Sequence, residues 1–316
     1  MQYKMCILIL LSLTGIGGCK WGGNQAGSLD TPTGGNIRIV ADEALQPLVE
    51  AEIQAFQAIY RNAEIEAVYM PEAEAVQYLL QDSARLAILG RKLLPEERYA
   101  LDTQKIVPQE VKAATDAVAF ILHPSNPDTL LTYGQLVQLL RGEIRQWQQI
   151  NAQSALPAVQ VVFDHAHSGT VRWMMDSLAS VERLPAHCFA VDHNEAVIQY
   201  VSHTPQAIGI IGLSWISDKD DTVTHRFLQQ IKVAGIHAET AEKSAEYFQP
   251  YQAYLAQKKY PFTRDIYIIS REARAGLGSG FTAFFCGDKG QRVVLKSGLV
   301  PATMPVRIVQ LVSSQN

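Results

Sequence analysis

An excess of basic charge is missing from this chain. Its 27 lysines and arginines are outnumbered by 31 aspartates and glutamates, for a formal net charge of −4. Nucleic-acid binding normally needs a basic field, so no nucleic-acid partner is expected. An anionic ligand must then find a local site, because the protein as a whole does not steer it in. Cysteine is scarce: Cys6, Cys19, Cys188 and Cys286 are all there are, and no Cys-x-x-Cys or other metal-ligand spacing occurs. A Gly-x-Ser-x-Gly elbow is absent, which argues against a serine hydrolase of that type. The loop Gly276-Leu277-Gly278-Ser279-Gly280 has the wrong glycine spacing for a dinucleotide site and reads as a turn into a helix. No cofactor is expected, and no repeat of fixed period is visible.

Long apolar runs are also absent. Met5 to Leu13 is apolar but too short to span a bilayer, and Lys4 stands before it. Thr14-Gly15-Ile16-Gly17-Gly18-Cys19 follows, and small residues directly before a cysteine resemble the bacterial lipobox. Residues 1–18 are therefore expected to be a lipoprotein signal peptide, with Cys19 as the lipidated first residue of an exported, membrane-anchored chain. The Gly/Ser/Thr/Asn-rich stretch 19–35 is expected to be a flexible tether. Cys188 and Cys286 remain for the body, where a disulfide and two buried thiols are both open.

What is present is an ordinary globular composition, 47% hydrophobic and 18% charged, long enough for about two domains. Strand-like Asn36–Ala41, Ile65–Tyr69 and Arg85–Leu89 alternate with helical spacing over Leu45–Tyr60 and Glu72–Leu80. That alternation predicts an α/β fold. Asp116–Leu122 is nearly all apolar, as a strand buried on both faces should be. A helix capped by Thr132 and stopped by Gly142 follows. Beyond it come a strand over Val159–Phe163, a helix capped by Asn194 and running through His203, and strands over Ala207–Leu213 and Asp265–Ser270. A helix over Ser279–Asp288 and a short element over Gln291–Ser297 close the chain.

The run FDHAHSGTVRWM holds the most informative turn. Ser168, Gly169 and Thr170 open a helix whose first amides are unpaired and partly positive. The hydroxyls add donors, Gly169 permits close backbone approach, and Arg172 adds a planar fork, so the set makes an oxyanion cradle. Two other strand ends point the same way: Asp42-Glu43-Ala44 after the first strand, and Gly90-Arg91 after the third. In open α/β sheets ligands bind at such carboxyl ends. Asp42 and Glu43 suit a partly protonated oxyanion such as monohydrogen phosphate and repel a fully deprotonated one such as sulfate. The same pair would also cap the following helix.

Several segments resemble the PstS-like periplasmic substrate-binding lipoproteins of phosphate ABC importers, especially the Bacteroidetes type. They include ADEALQPLVEAEIQAF, MPEAEAVQYLLQDSARLAILGRKL, the Asn126–Trp147 run, VVFDHAHSGTVRWM, AIGIIGLSWISD, YPFTRDIYI and the Gly290–Pro301 ending, in family order over nearly the whole mature chain. The resemblance implies a two-lobed periplasmic binding protein fold of type II, with mixed sheets flanked by helices and a ligand cleft between lobes. Residues 36–118 and 262–316 would form one lobe and 119–261 the other. It implies a monomer that binds phosphate or a similar oxyanion without catalysis and passes it to an inner-membrane ABC permease. Carried over, the phosphate contacts are Asp42, Glu43, Ala44, Gly90, Arg91, Ser168, Gly169 and Thr170, joined by Arg172. The chain departs from the family pattern twice. Gly-Ser-Thr after the first strand is replaced by Ala41-Asp42-Glu43. An arginine before the Ser-Gly-Thr turn is replaced by Asp164-His165-Ala166-His167, so that Arg172 or Arg91 would supply the guanidinium. Asp164, His165 and His167 also admit a metal-dependent phosphohydrolase, although a polar loop beside the cleft is the simpler reading.

Overall fold

The computed structural model describes residues 30–218, 220–238 and 246–306. The signal segment and Cys19 lie outside the described residues. The first part of the chain runs β1 (Gly34–Asp42), α1 (Gln46–Ile59), β2 (Asn62–Met70), α2 (Glu72–Leu80), β3 (Leu86–Leu89), α3 (Pro95–Thr103) and β4 (Gln109–Leu122). Next come β5 (Leu130–Thr132), α4 (Tyr133–Arg141), β6 (Gln160–Phe163), α5 (Gly169–Trp173), β7 (Cys188–Ala190), α6 (Asn194–His203), β8 (Ala207–Gly212), α7 (Ser214–Ser217) and α8 (Thr222–Gln230). The last part holds β9 (Lys232–Val233), β10 (Gly235–His237), α9 (Gln252–Ala256), β11 (Thr263–Ser270), α10 (Leu277–Cys286), α11 (Asp288–Lys296) and β12 (Val300–Pro301).

The main sheet is mixed, in the order β2-β1-β3-β11-β4-β8-β6-β7. β1 lies parallel to β2 and β3, and β6 lies parallel to β7 and β8. β11 and β4 run antiparallel to their neighbours and join these two parallel sets. β4 does this by changing partners: Gln109–Ala117 pairs with β11, and Val118–Leu122 pairs with β8. Its sequence carries the change. The first residues are partly exposed, while Ala117–Leu122 is buried throughout, as a strand covered on both faces must be.

Register then decides where the strand ends fall. Asp42 pairs with Met70, and Ala41 with Ile88, so the carboxyl ends of β1, β2 and β3 lie side by side. Phe163 pairs with Ala190 and Ile210, which gathers the ends of β6, β7 and β8. Gly212 pairs with Val118 in the middle of β4, and Asp116 there pairs with Arg264 of β11. The two sets of ends therefore meet at the middle of the crossing strands.

Helix α4 is bounded as its sequence predicts: Thr132 accepts from Gln135 N, and Gly142 ends the helix at φ 78°. Asn194 is the first residue of α6, whose cap is His193, because Asn194 turns its side chain elsewhere. The expected tether ends before Gly35. Asp30 accepts from Leu277 N at 2.7 Å and from Arg274 at 2.6 Å, and β1 begins at Gly34. Cys188 and Cys286 are both free thiols.

Candidate functional site

Asp42, at the end of β1, is fully buried. Its Oδ1 accepts from Ala44 N at 3.3 Å, and its Oδ2 has no hydrogen-bond partner among the described residues. Burial pushes its pKa up to about 8; Arg264 opposes this, while the charges of Glu72 and Asp164 reinforce it. Glu43 beside it accepts from Asn194, through both the backbone N–H and the side-chain amide. Burial raises Glu43 to about 7 in spite of these bonds.

Glu72 opens α2 just past the end of β2 and is buried. It accepts from Arg91 Nε at 2.8 Å and from Arg172 Nε at 2.5 Å. Burial disfavours its charge, but the two guanidiniums outweigh burial and hold its pKa below the ordinary value. Arg91 also grips Glu97 through two bonds of 2.6 and 2.8 Å. Arg91 and Arg172, expected to face an anion, thus face a carboxylate of the chain itself.

A further guanidinium reaches the Ser-Gly-Thr turn, that of Arg264 of β11, only 3% exposed. Its Nε donates to Asp116 Oδ2 at 3.0 Å, and its Nη1 donates to Thr170 Oγ1 at 3.4 Å. Nη2 lies 3.0 Å from the same Asp116 oxygen but makes no hydrogen bond of good geometry. Asp116 Oδ1 has no hydrogen-bond partner, and burial raises the Asp116 pKa against the pull of Arg264. Gly90 sits against this arginine: a Cβ there would lie 3.4 Å from Arg264 Cδ.

From the other side, Ser168 caps α5. Its Oγ accepts from Val171 N at 3.1 Å and donates to Asp164 Oδ1 at 2.5 Å. Asp164 also accepts from Asn194 Nδ2 at 3.3 Å, and burial raises its pKa against these bonds. Gly169 meets the first wall directly. A Cβ at this position would stand 2.3 Å from Asp42 Oδ2 and 2.7 Å from Glu72 Oε2, so only glycine fits. Helix α5 runs on into a π-helical segment over Met174–Ala179.

The structure thus brings Asp42, Gly90, Ser168, Gly169 and Thr170 to one buried junction. Ala44 lies beside it with its polar groups spent internally: its N–H donates to Asp42 and its carbonyl accepts from Ser214 Oγ at 2.9 Å. Sequence reasoning missed Glu72, Asp116, Asn194 and Arg264. Glu72 had a signal, since it opens a helix at a strand's carboxyl end like Asp42. Arg264 had a weaker one, a lone arginine on the inward phase of an alternating strand. A cavity of about 420 Å³ adjoins Asp42, Glu43, Asp164 and Ser168, and another of about 260 Å³ lies among Glu72, Arg91, Ser168 and Arg172. Larger hollows, about 500 Å³ beside Tyr251 and about 690 Å³ beside Leu184, hold none of these residues.

An interior this rich in paired charges suits a small polar solute gripped from both walls. The comparisons agree in kind. The chain is 22% identical to the phosphate-binding protein PstS of Pseudomonas aeruginosa over 296 residues, covering 87% of this chain and 85% of the relative. It is 20% identical to that of Bacillus subtilis, covering 85% and 81%. Among solved structures, a Clostridium perfringens chain assigned to the phosphate ABC transporter substrate-binding proteins, with bound phosphate, matches at TM-score 0.70 and 22% identity. The match covers 85% of this chain and all (100%) of that one. An ABC-type phosphate transport receptor from Vibrio cholerae matches at 0.61 and 20%, covering 84% and 100%. Residues 26–289 match the PBP superfamily domain, and the chain belongs to that superfamily of periplasmic binding proteins.

Proposed function

We propose that this protein is an extracytoplasmic receptor that captures inorganic phosphate in the junction between its two walls and delivers it to an ABC-type permease in the inner membrane. Residues 36–118 with 262–316 serve as one lobe and 119–261 as the other, joined at β4 and β11. The chain acts as a monomer held to the membrane through a lipid on Cys19, and the captured ion leaves unchanged.

The observation that carries this reading is Arg264. It is a buried guanidinium directed at Thr170, with Nη2 lacking a hydrogen-bond acceptor of good geometry, beside Gly90 and the Ser168–Thr170 turn. A charge-assisted donor in so dry a place favours an oxyanion. The acids beside it restrict which oxyanion. Asp42 keeps its proton up to about pH 8. When ionised it accepts from monohydrogen phosphate, which sulfate, having no proton to give, cannot match; when protonated it donates to either anion, so the discrimination sharpens as pH rises through about 8. The relatives named for phosphate binding support the same choice. Asp164 of the phosphohydrolase alternative accepts from Ser168 and Asn194.

Calorimetry of the mature chain against phosphate, arsenate, sulfate and molybdate tests the proposal. Above about pH 8, where Asp42 is ionised, phosphate and arsenate should bind, and sulfate should not. If none of the four binds, or if sulfate binds as tightly as phosphate there, the reading fails. A different tetrahedral oxyanion would show as another order of affinity in the same panel.

A further inference from the structure

The loop between β6 and α5 carries His165 and His167, which the anion site does not use. Across the junction stands Glu74, in the first turn of α2. The ligand atoms of these three side chains lie within 4.8 Å of one another; Glu74 and His167 are exposed and His165 is half-buried. The backbone fixes them in place. Ala73 N donates to His167 O at 3.3 Å, tying the residue before Glu74 to the histidine loop. His167 N donates to His165 Nδ1 at 3.2 Å, so that nitrogen is unprotonated and presents its lone pair toward His167. The adjoining cavity of about 420 Å³ is lined by Glu74 and His165 together with Asp42, Glu43, Asp164, Asp192 and His193. One of those acids, Asp42, is fully buried with an unpartnered Oδ2. Two imidazoles and a carboxylate, next to a cavity with so many acids, meet the requirements of a borderline-soft divalent cation better than those of calcium or magnesium.

We propose that Glu74, His165 and His167 bind one divalent transition-metal ion of the zinc class across the junction, with a fourth coordination position open to solvent. Neither wall holds the full set: Glu74 comes from α2 and both histidines from the β6–α5 loop. The ion therefore binds the closed arrangement better than an open one and holds the walls together by that difference.

The test uses the tag-free mature chain in phosphate-free buffer, so it stands or falls separately from the phosphate proposal. Calorimetric titration with zinc chloride should give one site. His167→Ala and Glu74→Gln should each weaken it about tenfold or more. Both side chains are exposed, so both variants should melt with the parent, which separates a lost ligand from a lost fold. Binding no tighter than about 0.1 mM in the parent overturns the site. Binding that survives His167→Ala places the ion elsewhere and also overturns it. Binding that is lost in His167→Ala but unchanged in Glu74→Gln confines the ion to the loop and overturns the link across the junction.

Discussion

The two walls of the junction are built from different materials. The wall formed by β1, α2, β3 and the crossing strands is a set of ionised or ionisable side chains: Asp42, Glu72, Arg91, Asp116 and Arg264. Glu72 is held by Arg91 and by Arg172 of the other wall, and Arg264 is paired with Asp116, while Asp42 Oδ2, Asp116 Oδ1 and Arg264 Nη2 have no hydrogen-bond partner among the described residues. The wall formed by the start of α5 offers a capped backbone turn, the Thr170 hydroxyl and a glycine with no side chain. The second wall can accommodate any small anion that fits. The first wall decides what charge and protonation state such an anion must have, because burying an ion among fixed carboxylates is costly unless a proton or a guanidinium compensates.

Removing one member of each wall should therefore cost different things. Arg264→Ala leaves Asp116 buried without its cation. It should lower folding stability by about 3–5 kcal/mol and abolish phosphate binding, as read by chemical denaturation and calorimetry. A variant as stable as the parent would show that the pair is dispensable. Gly169→Ala places a methyl at 2.3 Å from Asp42 Oδ2. It should oppose closure by about 1–3 kcal/mol, whereas Gly90→Ala, with 3.4 Å to its nearest neighbour, should be tolerated. Equal losses in the two variants would remove the steric argument. Ser168→Ala and Arg172→Ala should each weaken phosphate binding by about 1–3 kcal/mol, each by freeing a buried carboxylate, since Ser168 is held by Asp164 and Arg172 by Glu72. Unchanged binding in both variants, read by calorimetry, would remove them from the site.

The last comparison concerns pH. Asp42 titrates near 3.8 when unfolded and near 8 when folded, so it takes up a proton on folding within that window. Its contribution to stability is complete below pH 3.8 and is lost as pH rises through about 8. Glu52, buried in α1 with neither oxygen hydrogen-bonded, behaves alike between 4.5 and about 9. Melting temperature should therefore fall from mildly acidic to mildly alkaline pH, and Glu52→Gln should flatten the upper part of that decline. A profile that rises over this range would contradict both raised values.

The elements with clear periodicity were readable in advance. α1, α2, β3, α4 and β8 stand where the apolar spacing put them, because each buries a well-defined face. α3 buries only Leu101, and α8 only Thr224 and Phe227, so neither leaves a periodic apolar trace to read. The site was readable in the same uneven way. Ser168, Gly169 and Gly90 carry local turn chemistry, and they fall at the junction. The arginines' carboxylate partners were not readable, because a guanidinium's partner depends on residues far away in sequence: Arg172 lies 100 residues from Glu72, and Arg264 lies 148 from Asp116.

The sequence alone determined the alternation of strands and helices, the capping at Thr132 and Ser168, and the presence of a glycine where two walls approach, because periodicity, capping and backbone freedom act over a few residues. Only the tertiary structure decided which carboxylate meets which guanidinium, that Arg264 of β11 donates to Thr170, and that Asp42 holds its proton. Those outcomes depend on burial and on charges brought together by the pairing of β4 with β11 and β8, and neither is fixed until the strands have met.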